Sequence, residues 1–109
     1  MGTPPELLQG TVEILVLRVL AWQPMHGYAI TRFVRDRSSD EITIDGAALY
    51  QALHRMERKG LVRSRWGISE SNRRVRVYEP TTAGRKHLAT NSDAWHRYAK
   101  AVSRVLAPA

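Results

Sequence analysis

The sequence predicts an α+β fold, mainly α with one small β-hairpin, on three observations. Residues 1–60 hold three stretches with helical apolar spacing, residues 61–79 hold two strand-like runs, and a last stretch of helical pattern reaches about Leu106. A length of 109 residues fits one domain with its own core, and 43% hydrophobic with 25% charged residues is the balance of a soluble globular chain.

Residues 1–9, with Pro4 and Pro5, read as a lead-in. Gly10 and Thr11 then open an apolar stretch that Gln23 and Pro24 close. Thr11 suits the N-cap of this helix, and Glu13 sits near its positive end. Only Glu13 and Arg18 are charged within it, so it is apolar nearly all round and needs cover on more than one side. A chain this short supplies limited cover, which is a first hint of a second subunit.

A second helix runs from His26 to about Arg37, with Ala29, Ile30, Phe33 and Val34 on its inner face. Ser38, Ser39 and Asp40 end it, and residues 42–44 leave room for no more than a small strand. A third helix opens at Asp45 or Gly46 and runs to Lys59. Gly60 follows it as a C-terminal glycine, with Arg58 and Lys59 in the last turn. Residues 61–66 and 74–79 form a hairpin with a long tip at 67–73. Thr81 then caps the final helix, whose start Gly84 weakens. This order is the plan of a winged helix-turn-helix over residues 1–80, extended by a long C-terminal dimerisation helix over residues 81–109.

The formal charge of +7 is unevenly spread. Residues 1–60 carry seven basic and seven acidic side chains, whereas residues 61–109 carry ten basic and three acidic, which accounts for the whole excess. A basic half on a small domain points to a polyanionic partner. Without cysteine there are no disulfides, thiol nucleophiles or thiolate metal sites, and the chain suits the cytoplasm. No apolar run of membrane-spanning length and no signal-peptide pattern occurs, so a membrane partner is not expected.

At about 100° per residue, Leu49, Ala52, Leu53 and Met56 make a core stripe on the third helix. Its outward face holds Ala47, Tyr50, Gln51, His54 and Arg58, with Glu57 at the margin. Gln51 and Arg58 can make edge contacts to bases, and the others can approach phosphates. Ala47 and Ala48 keep the first turn slim enough for the helix N-terminus to approach a phosphate or a thymine methyl. The bland alternative is an ordinary solvated face, although such faces usually mix Glu and Lys.

In the hairpin, Val62, Ser64 and Trp66 share one face of the first strand, and Val75 and Val77 one face of the second. Aligning these apolar faces gathers up to four arginines, Arg63, Arg65, Arg74 and Arg76, on one side of the ribbon. Like charges facing across strands destabilise a hairpin, so this arrangement suits an outside anion. Arg73 and Arg74 stand where the tip rejoins the strand, within reach of a minor groove or its phosphates. Basic residues that only block edge-to-edge aggregation are the alternative.

At these residues the chain resembles the PadR family of bacterial transcriptional regulators. His26-Gly-Tyr-Ala-Ile30 resembles the family's His-Gly-Tyr-x-Ile at the start of the second helix. Gly46-Ala-Ala-Leu-Tyr-Gln-Ala-Leu-His-Arg-Met-Glu57 resembles its Gly-Ser-Leu-Tyr-Pro-Ala-Leu-x-Arg-Leu-Glu helix, shifted by one inserted small residue, Ala47 or Ala48. Lys59-Gly60-Leu61, Arg73-Arg74-Val-Arg-Val-Tyr78 and Thr81-Thr-Ala-Gly84 resemble later segments of the same family, in order. The resemblance implies a winged-helix homodimer on a palindromic operator, usually a repressor, with a small-molecule inducer that varies among members. It also implies that Tyr28 and Tyr50 offer hydroxyls to phosphates, the alternative being buried core tyrosines. Two departures matter. Ala48 replaces the motif's serine and removes a hydroxyl, and Gln51 replaces its proline and adds a side chain that can read a base.

In the last helix Leu88, Trp95 and Val102 are spaced by seven, with Tyr98, Ala99, Val105 and Leu106 beside them. Such a seam wants a partner helix. The expected dimer surface is this seam together with Leu15 and Val19 of the first helix. Trp95 near a dimer axis is also a candidate for stacking a flat ligand, although interface core is the commoner role. The sequence offers no phosphate-cradling glycine loop and no His-Glu-x-x-His motif, so enzymatic activity and a cofactor are not expected. Two rivals stand beside the DNA-binding regulator. One is a metal-sensing winged helix using His87, Asp93 and His96, and the other is a winged helix that serves only as a protein-interaction module.

Overall fold

Helix α1 (Pro5–Trp22) occupies the centre of the molecule, and every other helix packs against it. The computed structural model describes the backbone of residues 5–108 and the side chains of residues 10–108. After α1 come β1 (Met25–His26), α2 (Gly27–Arg37), α3 (Gly46–Arg58), β2 (Val62–Ile68), β3 (Arg74–Pro80) and α4 (Thr82–Leu106). The predicted α+β class, four helices with a small antiparallel sheet and a long final helix, is the observed one.

Val16, Leu17 and Leu20 of α1 are fully buried with Ile30 of α2, Leu49, Leu53 and Met56 of α3, and Val62 of β2. The α3 stripe predicted from helical spacing is therefore the core face. Asp45 caps α3 and Thr81 caps α4 through its hydroxyl, which accepts from the Gly84 N–H. Gly60 takes a left-handed φ of 74°, and the chain turns there from α3 into β2.

Four local expectations need correction. Helix α1 begins at Pro5, so residues 5–9 are helical and the lead-in shrinks. Pro5 suits a first helical position, where its missing N–H breaks no bond. Thr11 consequently lies inside the helix rather than at its start, and its hydroxyl accepts from Trp95 Nε1 at 3.4 Å. Residues 42–44 form no strand. The third strand is Met25–His26, which pairs antiparallel with β3 at Tyr78 and Val77, giving the order β1-β3-β2. Two residues carry no alternation to read, so the pattern could not announce it.

The third correction concerns the wing. Its strands reach farther than expected, and the tip is only residues 69–73. Trp66 pairs with Arg76 and Ile68 with Arg74, whereas Arg65 pairs with Val77 and Arg63 with Glu79. Paired residues share a face, so the four arginines divide two and two. Arg74 and Arg76 lie on the side of Trp66 and of the buried Val62 and Tyr78. Arg63 and Arg65 lie on the other side, where Arg63 Nε bonds Glu79 Oε2 at 2.9 Å. Aligning Val75 and Val77 with the core was the error. Tyr78, two positions on from Arg76, is the core residue.

The fourth concerns the dimer surface. Val19 is 6% exposed and Leu88 is 9% exposed, so both are chiefly part of the protomer's own core and have little surface to offer a partner. Gly84, expected only to weaken α4, permits a close approach: a Cβ there would collide with the Leu61 carbonyl oxygen.

Candidate nucleic-acid interface

Helix α3 presents Ala47, Ala48, Tyr50, Gln51, His54 and Arg58 to solvent, all of them exposed. Of these, Tyr50 reaches a cleft of about 590 Å³ between the start of α2 and the inner side of the wing. His26, Tyr28, Tyr50, Trp66, Arg73, Arg74 and Arg76 line it, with Ser69 and Ser71 from the tip. Sequence reading thus found Tyr28, Tyr50, Arg73, Arg74 and Arg76 as residues that the fold brings together. It missed His26, Trp66 and the two serines. The His-Gly-Tyr motif was the available signal for His26, and Trp66 was hidden by its assignment to an apolar face.

Tyr28 and Tyr50 are 66% and 48% exposed, so neither is a core tyrosine. Tyr50 reaches across to α2: a Cβ on Gly27 would fall 2.7 Å from its hydroxyl, so a larger residue there would displace the Tyr50 ring. The Arg32 guanidinium lies 5.8 Å from the centre of the Tyr28 ring. His26 stands at the N-cap of α2 in extended backbone without a side-chain cap bond. The first-turn amides of α2 therefore keep their capacity to bind an anion. At α3 the opposite holds. Asp45 Oδ2 accepts from the Ala47 and Ala48 amides at 3.1 and 3.3 Å. The expected approach of a phosphate to the α3 N-terminus is corrected accordingly, because a carboxylate already occupies it.

On the wing, the guanidiniums of Arg74 and Arg76 lie over the Trp66 ring, 4.2 and 5.1 Å from its centre. Arg76 Nη2 donates to Ser64 Oγ at 2.6 Å, and Ser64 Oγ donates to Glu57 Oε2 at 3.0 Å. The Tyr78 hydroxyl belongs to the same neighbourhood. Burial, and after it the Glu57 carboxylate, raise its pKa above the ordinary 10.0, while Arg76 pulls it down.

The second half of α4 is bare. Tyr98, Val102, Val105 and Leu106 are exposed, Val105 by 82% and Leu106 by 77%, while Ala99 is half-buried. Closer to α1, a cleft of about 600 Å³ is lined by Ile14, Leu15, Arg18, Leu88, Trp95 and His96 among others. The metal-sensor trio is not brought together: among the described residues no three His, Cys, Asp or Glu form a group able to hold a metal ion. Among the same residues, no helix is long and apolar enough to cross a membrane.

An exposed helix α3 flanked by a basic hairpin, with the long α4 projecting behind, is the arrangement of a winged helix-turn-helix. The chain belongs to the transcriptional regulator PadR-like family, whose family model matches residues 16–90. Members of this family are transcriptional regulators, not enzymes. A PadR family transcriptional regulator from Eggerthella lenta is 31% identical, with a TM-score of 0.77 over 95% of this chain and 88% of that one. A PadR family transcription regulator from Clostridium difficile is 28% identical, with a TM-score of 0.75 over 88% of this chain and 98% of that one. A transcriptional regulator from Clostridium thermocellum superposes with a TM-score of 0.84 over 97% of this chain and 100% of that one. At 24% identity this last likeness speaks for the fold alone.

Proposed function

We propose that this PadR-family chain is a cytoplasmic, sequence-specific DNA-binding repressor that grips a palindromic operator as a homodimer and releases it on binding a small-molecule inducer. The observation that carries the reading is the cleft in which Tyr28, Tyr50, Arg73 and Arg74 converge beside the exposed face of α3. Gln51, His54 and Arg58 read base edges in the major groove, with Ala47 and Ala48 against thymine methyls. The Tyr28 and Tyr50 hydroxyls and the uncapped start of α2 take the phosphate backbone, and Arg73 and Arg74 hold the strand beyond. Arg63 and Arg65, on the far side of the wing, take no part.

Residues 1–80 form the DNA-binding head and residues 81–109 the dimerisation arm, whose first two turns are built into the head's core through Gly84 and Leu88. Leu15, Trp95, Tyr98, Ala99, Val102, Val105 and Leu106 make the dimer surface. The exposed apolar end of α4 supports this assignment, since it stands uncovered among the described residues of the protomer. The inducer enters the cleft beside Trp95, whose volume is in the range of small-molecule sites.

Selection of bound duplexes from a random pool tests the reading. Enrichment of inverted repeats with half-sites roughly 34–36 Å apart is expected. Affinity should fall steeply with salt, each neutralised phosphate adding about −0.9 to the slope. Affinity that stays level from low to high salt would sink it.

A further inference from the structure

We propose that Arg76 is a positioning residue that ties the wing to the reading helix through Ser64 and Glu57, leaving Arg74 as the wing's stacked phosphate contact. The proposal rests on the DNA-binding reading above and refines its wing. By charge alone, Arg76 would be a phosphate ligand and Glu57, at the edge of the DNA-facing surface, a repulsive defect. The geometry reverses both roles.

Ser64 has one hydroxyl proton, and it goes to Glu57 Oε2 at 3.0 Å; its oxygen then accepts from Arg76 Nη2 at 2.6 Å. Arg76 Nη2 also lies 3.9 Å from the same Glu57 oxygen, with both side chains part-covered, so the charges compensate each other within the protein. Three elements meet in that relay: Glu57 from the last turn of α3, Ser64 from β2 and Arg76 from β3. The base of the hairpin is anchored by the buried Val62 and Tyr78 and by the β1 pairing, while the link from α3 to β2 is only residues 59–61. The relay adds a side-chain tie between the end of α3 and the wing, just beyond that anchored base.

Arg74 is different. It lies closest to the Trp66 ring, at 4.2 Å, and makes no ion pair among the described residues. Stacking restrains the side chain without neutralising its charge, so less freedom is lost when it meets a phosphate. Trp66 is held between the relay and this free cation, which makes it the platform that links them.

The test is a salt titration of a fluorescent mixed-sequence duplex with the full chain, its Glu57→Gln, Ser64→Ala, Arg76→Ala and Arg74→Ala variants, and thermal unfolding of each. Removing the acid Glu57 should weaken binding by roughly tenfold, against the expectation from charge. Arg76→Ala should weaken binding with an unchanged salt slope, whereas Arg74→Ala should reduce the slope by about 0.9. Ser64→Ala carries the same break without altering charge and covers the case in which Glu57→Gln fails to fold. Tighter binding by Glu57→Gln, or a slope reduced by about 0.9 in Arg76→Ala, overturns the proposal while leaving DNA binding intact. A wild-type chain that binds no duplex at low salt overturns both.

Discussion

Glu13 Oε2 lies 3.3 Å from Lys59 Nζ and 3.6 Å from Arg55 Nε, so a carboxylate of α1 holds the end of the reading helix. Glu13 is a buried charged residue, and Arg55 Nε is buried with no hydrogen-bond partner among the described groups. The Arg55 contact is therefore a charge attraction at a distance too long for a hydrogen bond. Glu13→Gln should destabilise the fold by about 2 kcal/mol, since it leaves two cations facing a neutral group. Urea unfolding checks this through a lower midpoint at unchanged slope.

Two glycines should respond in opposite ways to the same substitution. At Gly84 an added methyl meets the Leu61 carbonyl, which is backbone and fixed by its bond from the Thr81 N–H. Gly84→Ala should cost about 2 kcal/mol or more. At Gly10, inside α1, an added methyl meets nothing, so Gly10→Ala should be stabilising by up to about 1 kcal/mol. Thermal unfolding of the two variants side by side separates the packing effect from the propensity effect.

Alkaline pH should reveal Tyr78. Its folded-state pKa is raised above 10.0, so the unfolded chain loses its phenolic proton first as pH rises. The stabilisation is complete below the unfolded value and is lost as pH climbs through the folded one. Unfolding measured across that range should show a decline above about pH 10 that Tyr78→Phe reduces. A decline of equal size in the variant would assign it elsewhere.

Base preference should reside in Gln51. Gln51→Ala is expected to flatten discrimination between duplexes, with a loss of about 1–3 kcal/mol at the position it reads, whereas Arg74→Ala weakens all sequences alike. Competition binding with a panel of single-base operator variants distinguishes the two outcomes.

The far end of α4 offers a clean test of assembly. Val105 and Leu106 are among the most exposed apolar side chains described, so Val105→Glu with Leu106→Lys should leave the thermal unfolding of the head within a few tenths of a kcal/mol. Sedimentation should shift from dimer to monomer. A dimer that survives both charges would place the interface elsewhere.

The helices, and the caps of α3 and α4, were readable because each is written in a local pattern, whereas the start of α1 was not. The Leu49, Ala52, Leu53, Met56 stripe, Asp45 before α3 and Thr81 before α4 each declare themselves within a few residues. What escaped depends on register and on partners distant in sequence. Which arginines share a face of the wing is decided by Trp66 meeting Arg76 rather than Val75 or Val77, a one-residue matter that alternation alone leaves open. Strand β1 has no pattern of its own and exists through its pairing with β3. The relay of Glu57, Ser64 and Arg76 joins positions whose separate reading suggested a marginal acid, an apolar-face serine and a DNA-facing arginine. At the site, the composition of the reading face was legible and its internal wiring was not.

The short pairing of Met25–His26 with β3 has a consequence for how such a chain can diversify. It places the start of α2 on the same ladder as the wing, so the mouth of the cleft is measured in strand residues, about 3.3 Å each. Inserting one residue between Val77 and Tyr78 would not adjust that mouth smoothly. It would exchange Arg74 and Arg76 for Val75 and Val77 on the inner face, replacing cations with aliphatic groups at a stroke. The tip at residues 69–73 is the part of the wing where a change of length leaves that register intact, and substitution within the fixed frame is the other route to a new binding preference.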